Sequence, residues 1–524
     1  MNAPTCLPTV YESIIHMLAD AASCSPNSVA LQCGEETLTY AEYASCVGTL
    51  ARSLTQFLHK NPRIVLVASN SVRMAVTMLA VQAARAQIVP VNPAYTDREL
   101  AEIFDDADPA LVLCDATVFE RVNNVLEGLA SQVVCLSLSQ DELSLMNLRR
   151  QPFSALPLPM PSAADTACIQ YTGGTTGRSK GVEITHGQIC INVSQREASL
   201  PTRPDTEVVL CVMPLFHVFA TAMCLHLTLY CRGRLVLLPE YHVADALAAI
   251  ATQRVTILPA GPTVFSALLA HPHFRTTAFN SLRICFSGSA PLRPEILEEW
   301  ERRTSTRILE GYGQTEAGPV ISYMRESDVS CVGSVGIPLV LTEVQIVDSA
   351  DSERVLPVGE RGEIRVRGPQ IMSGYRNRPD ETATTLRGGW LYTGDIGFID
   401  AAGRLYICGR KKEMAVVGGY NVYPREIEEV LCTHPEIREA AALGIPDPYR
   451  GEVIAACVVL GRDSPLTASV LQKYCGERLA SYKIPRFIEF TASLPRTSLG
   501  KIDKACLMRQ FFDASPSRND LAAK

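Results

Sequence analysis

The chain has no run of five or more Lys or Arg, and its formal net charge is −7. Phosphate backbones are gripped by clustered cations, so a general nucleic-acid binder is excluded. None of the 18 cysteines stands at C-x-x-C spacing from another. Scattered singly, they read as small, reduced and mostly buried apolar residues, not as a zinc site or a disulfide framework. The first twenty residues lack a basic n-region and carry Glu12 and Asp20, so no secretory signal is expected. The closing LAAK is not a peroxisomal address, and no internal repeat or low-complexity tract is visible. A cytoplasmic location is the resulting expectation.

What is present is an ordinary globular composition, 47% hydrophobic and 20% charged over 524 residues, long enough for several domains' worth of packing. Residues 208–231 contain no Asp, Glu, Lys or Arg and are long enough to span a bilayer. Pro214, His217 and His226 interrupt them, which predicts a buried strand, a turn and a core helix, with peripheral membrane contact at most.

Short apolar runs at 64–68, 110–114, 133–138, 234–238 and 255–258 alternate with amphipathic stretches such as 71–86 and 98–105. That alternation predicts α/β architecture with largely parallel sheets. From Glu343 the texture changes to short strand candidates, EVQIVD, GEIRVRG and RLYICG, which predict a small β-rich subdomain. After Gly409 a helix candidate at 424–431, an apolar run at 440–443, a strand at 453–460 and a helix at 468–479 predict a compact α+β unit. The expected division is a large N-terminal domain, 1–409, and a small C-terminal one, 410–524.

The stretch YTGGTTGRSK, residues 171–180, follows the strand-like CIQY. Gly173, Gly174 and Gly177 allow a backbone that exposes successive N–H groups. Thr172, Thr175 and Thr176 add hydroxyls, and Lys180 adds a cation. Such a nest suits a polyphosphate, although it is not a Walker A loop.

The run resembles the phosphate loop of the adenylate-forming superfamily, which includes acyl- and aryl-CoA synthetases, luciferases and peptide-synthetase adenylation domains. Further matches follow in family order: PLFHVFA, SGSAPL, EGYGQTEAGP, GERGEIRVRGPQIMSGY, GWLYTGDIG, GRKKEMAVVGGYNVYPREIE and PRTSLGK. Ser179 is a small departure, since many members have Pro there. The resemblance implies activation of a carboxylic acid by ATP, with Mg²⁺, to an acyl-adenylate. Transfer to coenzyme A follows.

Residue by residue, the resemblance assigns the loop at 171–180 to the β- and γ-phosphates, with Thr175 beside the metal. Gly288, Ser289 and Ala290 line the adenine side; Tyr312 stacks near the base, with Gln314 beside it, and Thr315 bonds the α-phosphate. Glu316 holds Mg²⁺. Asp395 takes the ribose hydroxyls with its two carboxylate oxygens, and Arg410 also reaches the ribose. Lys501 bridges the substrate carboxylate and the α-phosphate.

A mobile C-terminal domain is implied as well, hinged at Lys412, with Gly418 and Gly419 lining a pantetheine tunnel and Tyr482, Lys483 and Arg486 near the CoA phosphates. His217 matches a gate at the acyl pocket, and Phe265, Gly313, Pro319 and Val320 are expected around that pocket. None of these pocket residues carries a fixed charge, and no Asp is placed to hold an α-amino group, so an apolar acid is favoured. A medium- or long-chain fatty acid is the first reading. An aryl acid, or a carrier-protein pantetheine as acceptor, stays open; a catalytically idle binding protein is the remote alternative. The chain is expected to be a monomer or homodimer.

Overall fold

The computed structural model describes residues 7–58, 62–129, 133–140, 143–152, 154–172, 179–326, 331–417, 420–461, 464–497 and 501–513. Two compact units emerge: Met1–Val344 with Val366–Tyr392, and Gln345–Arg365 with Thr393–Lys524.

The first unit holds two sheets. One has nine strands in the order Ile337–Pro338, Val320–Tyr323, Arg307–Gly313, Ile284–Ser287, Ile257–Ala260, Val208–Cys211, Arg234–Leu237, Val29–Cys33 and Glu36–Thr39. Its six central strands, from Arg307–Gly313 to Val29–Cys33, pair in parallel. The other has seven, ordered Gly374–Tyr375, Lys180–Thr185, Thr166–Thr172, Gln87–Val91, Arg63–Val67, Leu111–Cys114 and Val134–Ser137. Every expected strand in this region forms, and helices Val72–Ala83 and Asp97–Ala107 fill the two expected helical stretches. Burial on both faces explains the unbroken apolar strands: all of Arg63–Val67, Leu111–Cys114 and Ile257–Ala260 is buried.

Residues 208–231 resolve as predicted into the strand Val208–Cys211, a turn and a buried helical run to Cys231 that includes a π-helical turn, Thr221–His226. Among the described residues no helix is long and apolar enough to cross a membrane.

Helix His186–Ser199 is capped by Thr185, whose hydroxyl accepts from Gln188 N–H while the Gln188 side chain answers back. Its buried face is polar. Asn192 pairs both ways with the Val320 backbone, at 2.9 and 3.1 Å. Gln195 donates to the Val340 carbonyl at 2.8 Å, and Gln188 to that of Ile371 at 2.7 Å. Each amide is therefore satisfied, as a buried polar group must be.

In the second unit, Ala415–Val417, Tyr420–Val422, Gly451–Leu460, Ile437–Asp447 and Phe487–Phe490 form a five-stranded sheet covered by helices Pro424–Cys432 and Ala468–Gly476. Residues 345–365 and 393–409, ahead of the expected 409/410 break, cluster with the C-terminal residues. Backbone pairing explains it. Leu405–Arg410 zips antiparallel along the second half of Trp390–Ile399, and Lys411 bonds the buried Glu363 at 2.7 Å. The β-rich segment is thereby tied to the chain beyond Gly409.

Two histidines are buried without a partner for Nδ1 among the described residues: His186, at the start of the polar helix, and His226, in the π-helical turn. Burial lowers the pKa of His186 to about 4, partly offset by Asp165 and reinforced by His16, and that of His226 to about 3, reinforced by His186. Both are neutral in the fold, whereas the unfolded chain protonates them near pH 6.5. Between these values the unfolded state binds more protons, so stability present at neutral pH is lost as pH falls from about 6.5 towards 3–4. The expected slope is about 1.4 kcal/mol per pH unit for each histidine. His226→Gln should flatten the fall in denaturant midpoint between neutral and acid pH; an unchanged slope would exclude His226 as its source.

Candidate active site

The expected site residues of the first unit gather at the carboxyl ends of neighbouring strands. Gly288, Ser289 and Ala290 follow Ile284–Ser287; Gln314, Thr315 and Glu316 follow Arg307–Gly313; the segment to His217 follows Val208–Cys211. In doubly wound sheets this edge is where ligands bind, because the loops there are free of the ladder and can vary.

Side chains from the seven-stranded sheet fix that edge. Asn70 donates to the Met213 carbonyl at 3.0 Å and accepts from Leu215 N–H at 2.7 Å, and Gln170 donates to the Phe216 carbonyl at 2.6 Å. His217 then caps the short helix Val218–Ala220, its Nδ1 accepting from Phe219 N–H at 3.3 Å. The Phe219 ring lies against Gly288, where an added Cβ would stand 2.8 Å from it. Ser289 next to it has φ +69°, a left-handed conformation costly for any residue but glycine.

The turn Thr315–Ala317 is set by Gln314 N–H, which donates to the Pro319 carbonyl at 3.0 Å; a Cβ on Gly313 would overlap that same carbonyl. Tyr312 sits one residue earlier on the strand, paired with Ser322. Val320, adjoining Pro319, is buried with its backbone held by Asn192.

Tyr375, to which the sequence motifs assign no role, joins two charged residues expected at the site, Glu316 and Lys180. It lies on the edge strand Gly374–Tyr375, paired with Lys180–Thr185 through Tyr375 opposite Val182. Its hydroxyl donates to Glu316 Oε1 at 2.8 Å, and Lys180 Nζ lies over its ring, 5.0 Å from the centroid. Burial, with Glu316 beside it, holds the phenol well above its usual pKa, so it stays a donor. Lys180 also pairs with Glu381. Thr172 and Lys180 face each other in register on adjacent strands. Gly173, Gly174, Thr175, Thr176 and Gly177 lie outside the described residues, as do Gly418 and Gly419.

In the second unit Asp395 and Arg410 are register partners on adjacent strands, and Arg410 Nε meets Asp395 Oδ1 at 2.7 Å. The carboxylate is almost wholly buried, the guanidinium half exposed. Lys412 occupies the turn Lys411–Glu413. Lys501 stands on a small hairpin: its carbonyl accepts from Thr497 N–H at 2.7 Å, and Arg496 bridges to Ile502.

Four further expected residues lie in packed or paired surroundings. Phe265 is fully buried against Trp300, ring centroids 5.0 Å apart, within a core that includes Leu210, Val264 and Phe279. Its contacts are those of a packed core residue. Lys483 donates to both oxygens of Glu426 at 2.8 Å, and Arg486 Nη1 meets Asp447 Oδ2 at 2.5 Å. Both are thus paired with an acid in this structure, as Lys180 is with Glu381. Tyr482 stacks on Tyr420 at 4.4 Å.

The first unit thus sets Glu316, Tyr375 and Lys180 together, and the second pairs a buried carboxylate with an arginine. Residues 18–376 match the family described as AMP-binding enzyme, and residues 426–501 match the AMP-binding enzyme C-terminal domain. The chain belongs to this family. It is 32% identical to a long-chain-fatty-acid–CoA ligase of Bacillus subtilis, over 97% of this chain and 96% of that one. To a feruloyl-CoA synthase of Amycolatopsis it is 33% identical, over 94% and 97%. Among solved structures, ATP-bound MatB from Rhodopseudomonas palustris superposes with TM-score 0.88 at 30% identity, covering 96% of this chain and 99% of that one. The expected α/β fold and AMP-forming acid–CoA ligase class agree with this membership.

Two outcomes test the geometry. Tyr375→Phe should lower pyrophosphate exchange about tenfold, the worth of one hydrogen bond to a charged group, without lowering the melting temperature appreciably. An unchanged exchange rate would remove Tyr375 from the site. Asp395→Ala should raise the KM for ATP about 10- to 100-fold, corresponding to about 1.5–3 kcal/mol; an unaltered KM in the same assay would rule out its ribose role.

Proposed function

We infer that this chain is an ATP-dependent ligase that converts an apolar carboxylic acid to its CoA thioester through an acyl-adenylate. The observation that carries the reading is the alignment of Glu316 and Lys180 on the single phenol of Tyr375. A carboxylate that can hold a cation and a lysine that can meet a phosphate are thereby kept side by side.

A carboxylate is a poor electrophile, and coupling it to AMP supplies a leaving group. One carboxylate oxygen attacks the α-phosphorus of ATP, and the bond to pyrophosphate breaks. Two anions must approach, so the protein's part is positioning and charge neutralisation. Lys180 and the loop before it receive the terminal phosphates. Lys501 neutralises charge between the acid and the α-phosphate. Asp395, oriented by Arg410, fixes the ribose.

The donor set fits Mg²⁺. The second oxygen of Glu316 accepts no hydrogen bond among the described residues, and no cluster of three or more ligating side chains occurs among them. A cation here would be shared between one carboxylate and the substrate phosphates, which is the usual manner for Mg²⁺. When bound it supplies Lewis-acid neutralisation of the phosphate oxygens.

In the second half-reaction the thiol of CoA attacks the acyl carbonyl and AMP departs. Turning of residues 410–524 about Lys412 between the half-reactions would withdraw Lys501. For the acid, a fatty chain is favoured by the named activity of the Bacillus subtilis relative, and a phenylpropanoid-like acid is the second reading, favoured by the feruloyl-CoA synthase.

Pyrophosphate release with a panel of fatty and aryl acids, with and without CoA, tests both. Selectivity should climb with chain length by about 0.8 kcal/mol per methylene until the pocket is filled. A flat profile, or a preference for acetate, sinks the apolar-pocket reading, while ferulate over decanoate selects the aryl one. Lys501→Ala should abolish adenylation yet convert preformed acyl-AMP and CoA to thioester at a near-normal rate. An equal fall in both would show that Lys501 has another role.

A further inference from the structure

Three residues beyond Lys501, the chain turns into the helix Lys504–Leu507, capped by Asp503, which accepts from Cys506 N–H at 2.8 Å. Leu507 is fully buried in the apolar cluster with Leu443, Val453 and Leu494, and Ile502 packs on the same cluster. The helix start carries a cation with two anionic partners. Lys504 Nζ lies 2.9 Å from Glu413 Oε2 and 2.8 Å from Glu428 Oε1.

These two acids come from different places. Glu413 closes the turn Lys411–Glu413, and Glu428 belongs to helix Pro424–Cys432, where its Oε1 also accepts from Ala442 N–H at 2.8 Å. The turn is held at its other end too, by Lys411 on Glu363. Burial works against the charge on Lys504, but Glu428 and Glu413 outweigh it and raise its pKa, so the ammonium persists.

We propose that Lys504 is a positioning residue for adenylation: by gripping Glu413 and Glu428 it locks the Lys501 hairpin to the turn containing Lys412, so that hairpin and turn move as one body. This deepens the ligase reading and rests on Lys501 acting in the first half-reaction. Lys504 itself touches no substrate. Its grip is on the backbone that presents Lys501, three residues away and joined to it through the bridge at Ile502 and the paired backbone of Asp503 and Pro495.

The test uses the full chain and separates the half-reactions. Lys504→Met should lower the rate of pyrophosphate exchange about 10- to 100-fold at saturating ATP, the scale expected for misplacing a reacting group by about an ångström. Its KM for ATP and its conversion of preformed acyl-AMP and CoA to thioester should stay near wild type. Lys504→Arg, which keeps the charge and the reach, should restore most of the exchange rate. Glu413→Gln, at a partly exposed position, should give the same selective loss in smaller measure and guards against a Lys504→Met protein that does not fold. Equal losses in both half-reactions with a lowered melting temperature, or wild-type exchange in Lys504→Met, would overturn the positioning role. Lys501→Ala runs alongside: if it leaves adenylation intact, the underlying ligase reading has failed, whatever Lys504 does.

Discussion

The hydroxyl of Tyr375 on Glu316 is the contact through which Glu316 and Lys180 share one geometry. It exists because a two-residue edge strand, Gly374–Tyr375, docks on Lys180–Thr185. The same pairing lays the phenol ring beneath Lys180, which is itself in register with Thr172. The other end is anchored separately, by Met372 N–H donating to the Glu316 carbonyl at 2.9 Å. A single hydrogen bond adds only about 1 kcal/mol net, so this contact does not hold the fold together. It is the backbone pairing that brings carboxylate, phenol and cation within reach, and the phenol then sets their spacing.

Behind that contact stands an unusual allotment of buried polarity. Asn70, Gln170, Asn192 and Gln195 spend their amides on backbone carbonyls and N–H groups of the loops at the strand ends. Apolar residues could fill the same volume but could not stop a loop from sliding, because dispersion has little direction. Amide pairs do, at the cost that every buried polar atom must be matched. Where matching fails, at His186 and His226, the fold accepts an acid-sensitive weakness close to the same helix and the π-helical turn.

Much of this was legible from sequence. Apolar runs flanked by turn residues marked the buried parallel strands, and their order with amphipathic stretches marked the α/β class. The resemblance to the adenylate-forming superfamily, resting on the quoted motifs, is what pointed to Glu316, Asp395, Arg410 and Lys501. Tyr375 escaped because a hydroxyl and a carboxylate 59 residues apart leave no periodic trace. Asn70 and Gln170 escaped for the same reason, since their partners lie 143 and 46 residues away. The packing of Phe265 on Trp300 was hidden because a large apolar residue in a helix reads alike whether it faces ligand or core. The partners of Lys483 and Arg486 were hidden because a cation's neighbour depends on which acid the fold puts beside it.

The second unit shows why ion pairs, and not apolar contacts, suit the turn at Lys412. Lys411–Glu363 and Glu413–Lys504 flank it, with Lys411 and Glu413 each more than a third exposed. Water competes for Lys411 and Glu413, the more exposed member of each pair, so each pair holds less firmly than a wholly buried one. Holding a turn by such pairs fixes direction strongly and energy weakly. An apolar clamp of equal reach would lose about 25 cal/mol for every Å² uncovered when it opened. If the segment turns on each catalytic cycle, as proposed, the opening cost must stay small beside the binding energy of ATP and CoA. Lys411–Glu363 opens into water without exposing apolar surface and closes again onto the same atoms, while Glu413–Lys504 stays shut and carries the hairpin with the turn. The turn can therefore be specific about where Lys501 stands without being slow to let it go.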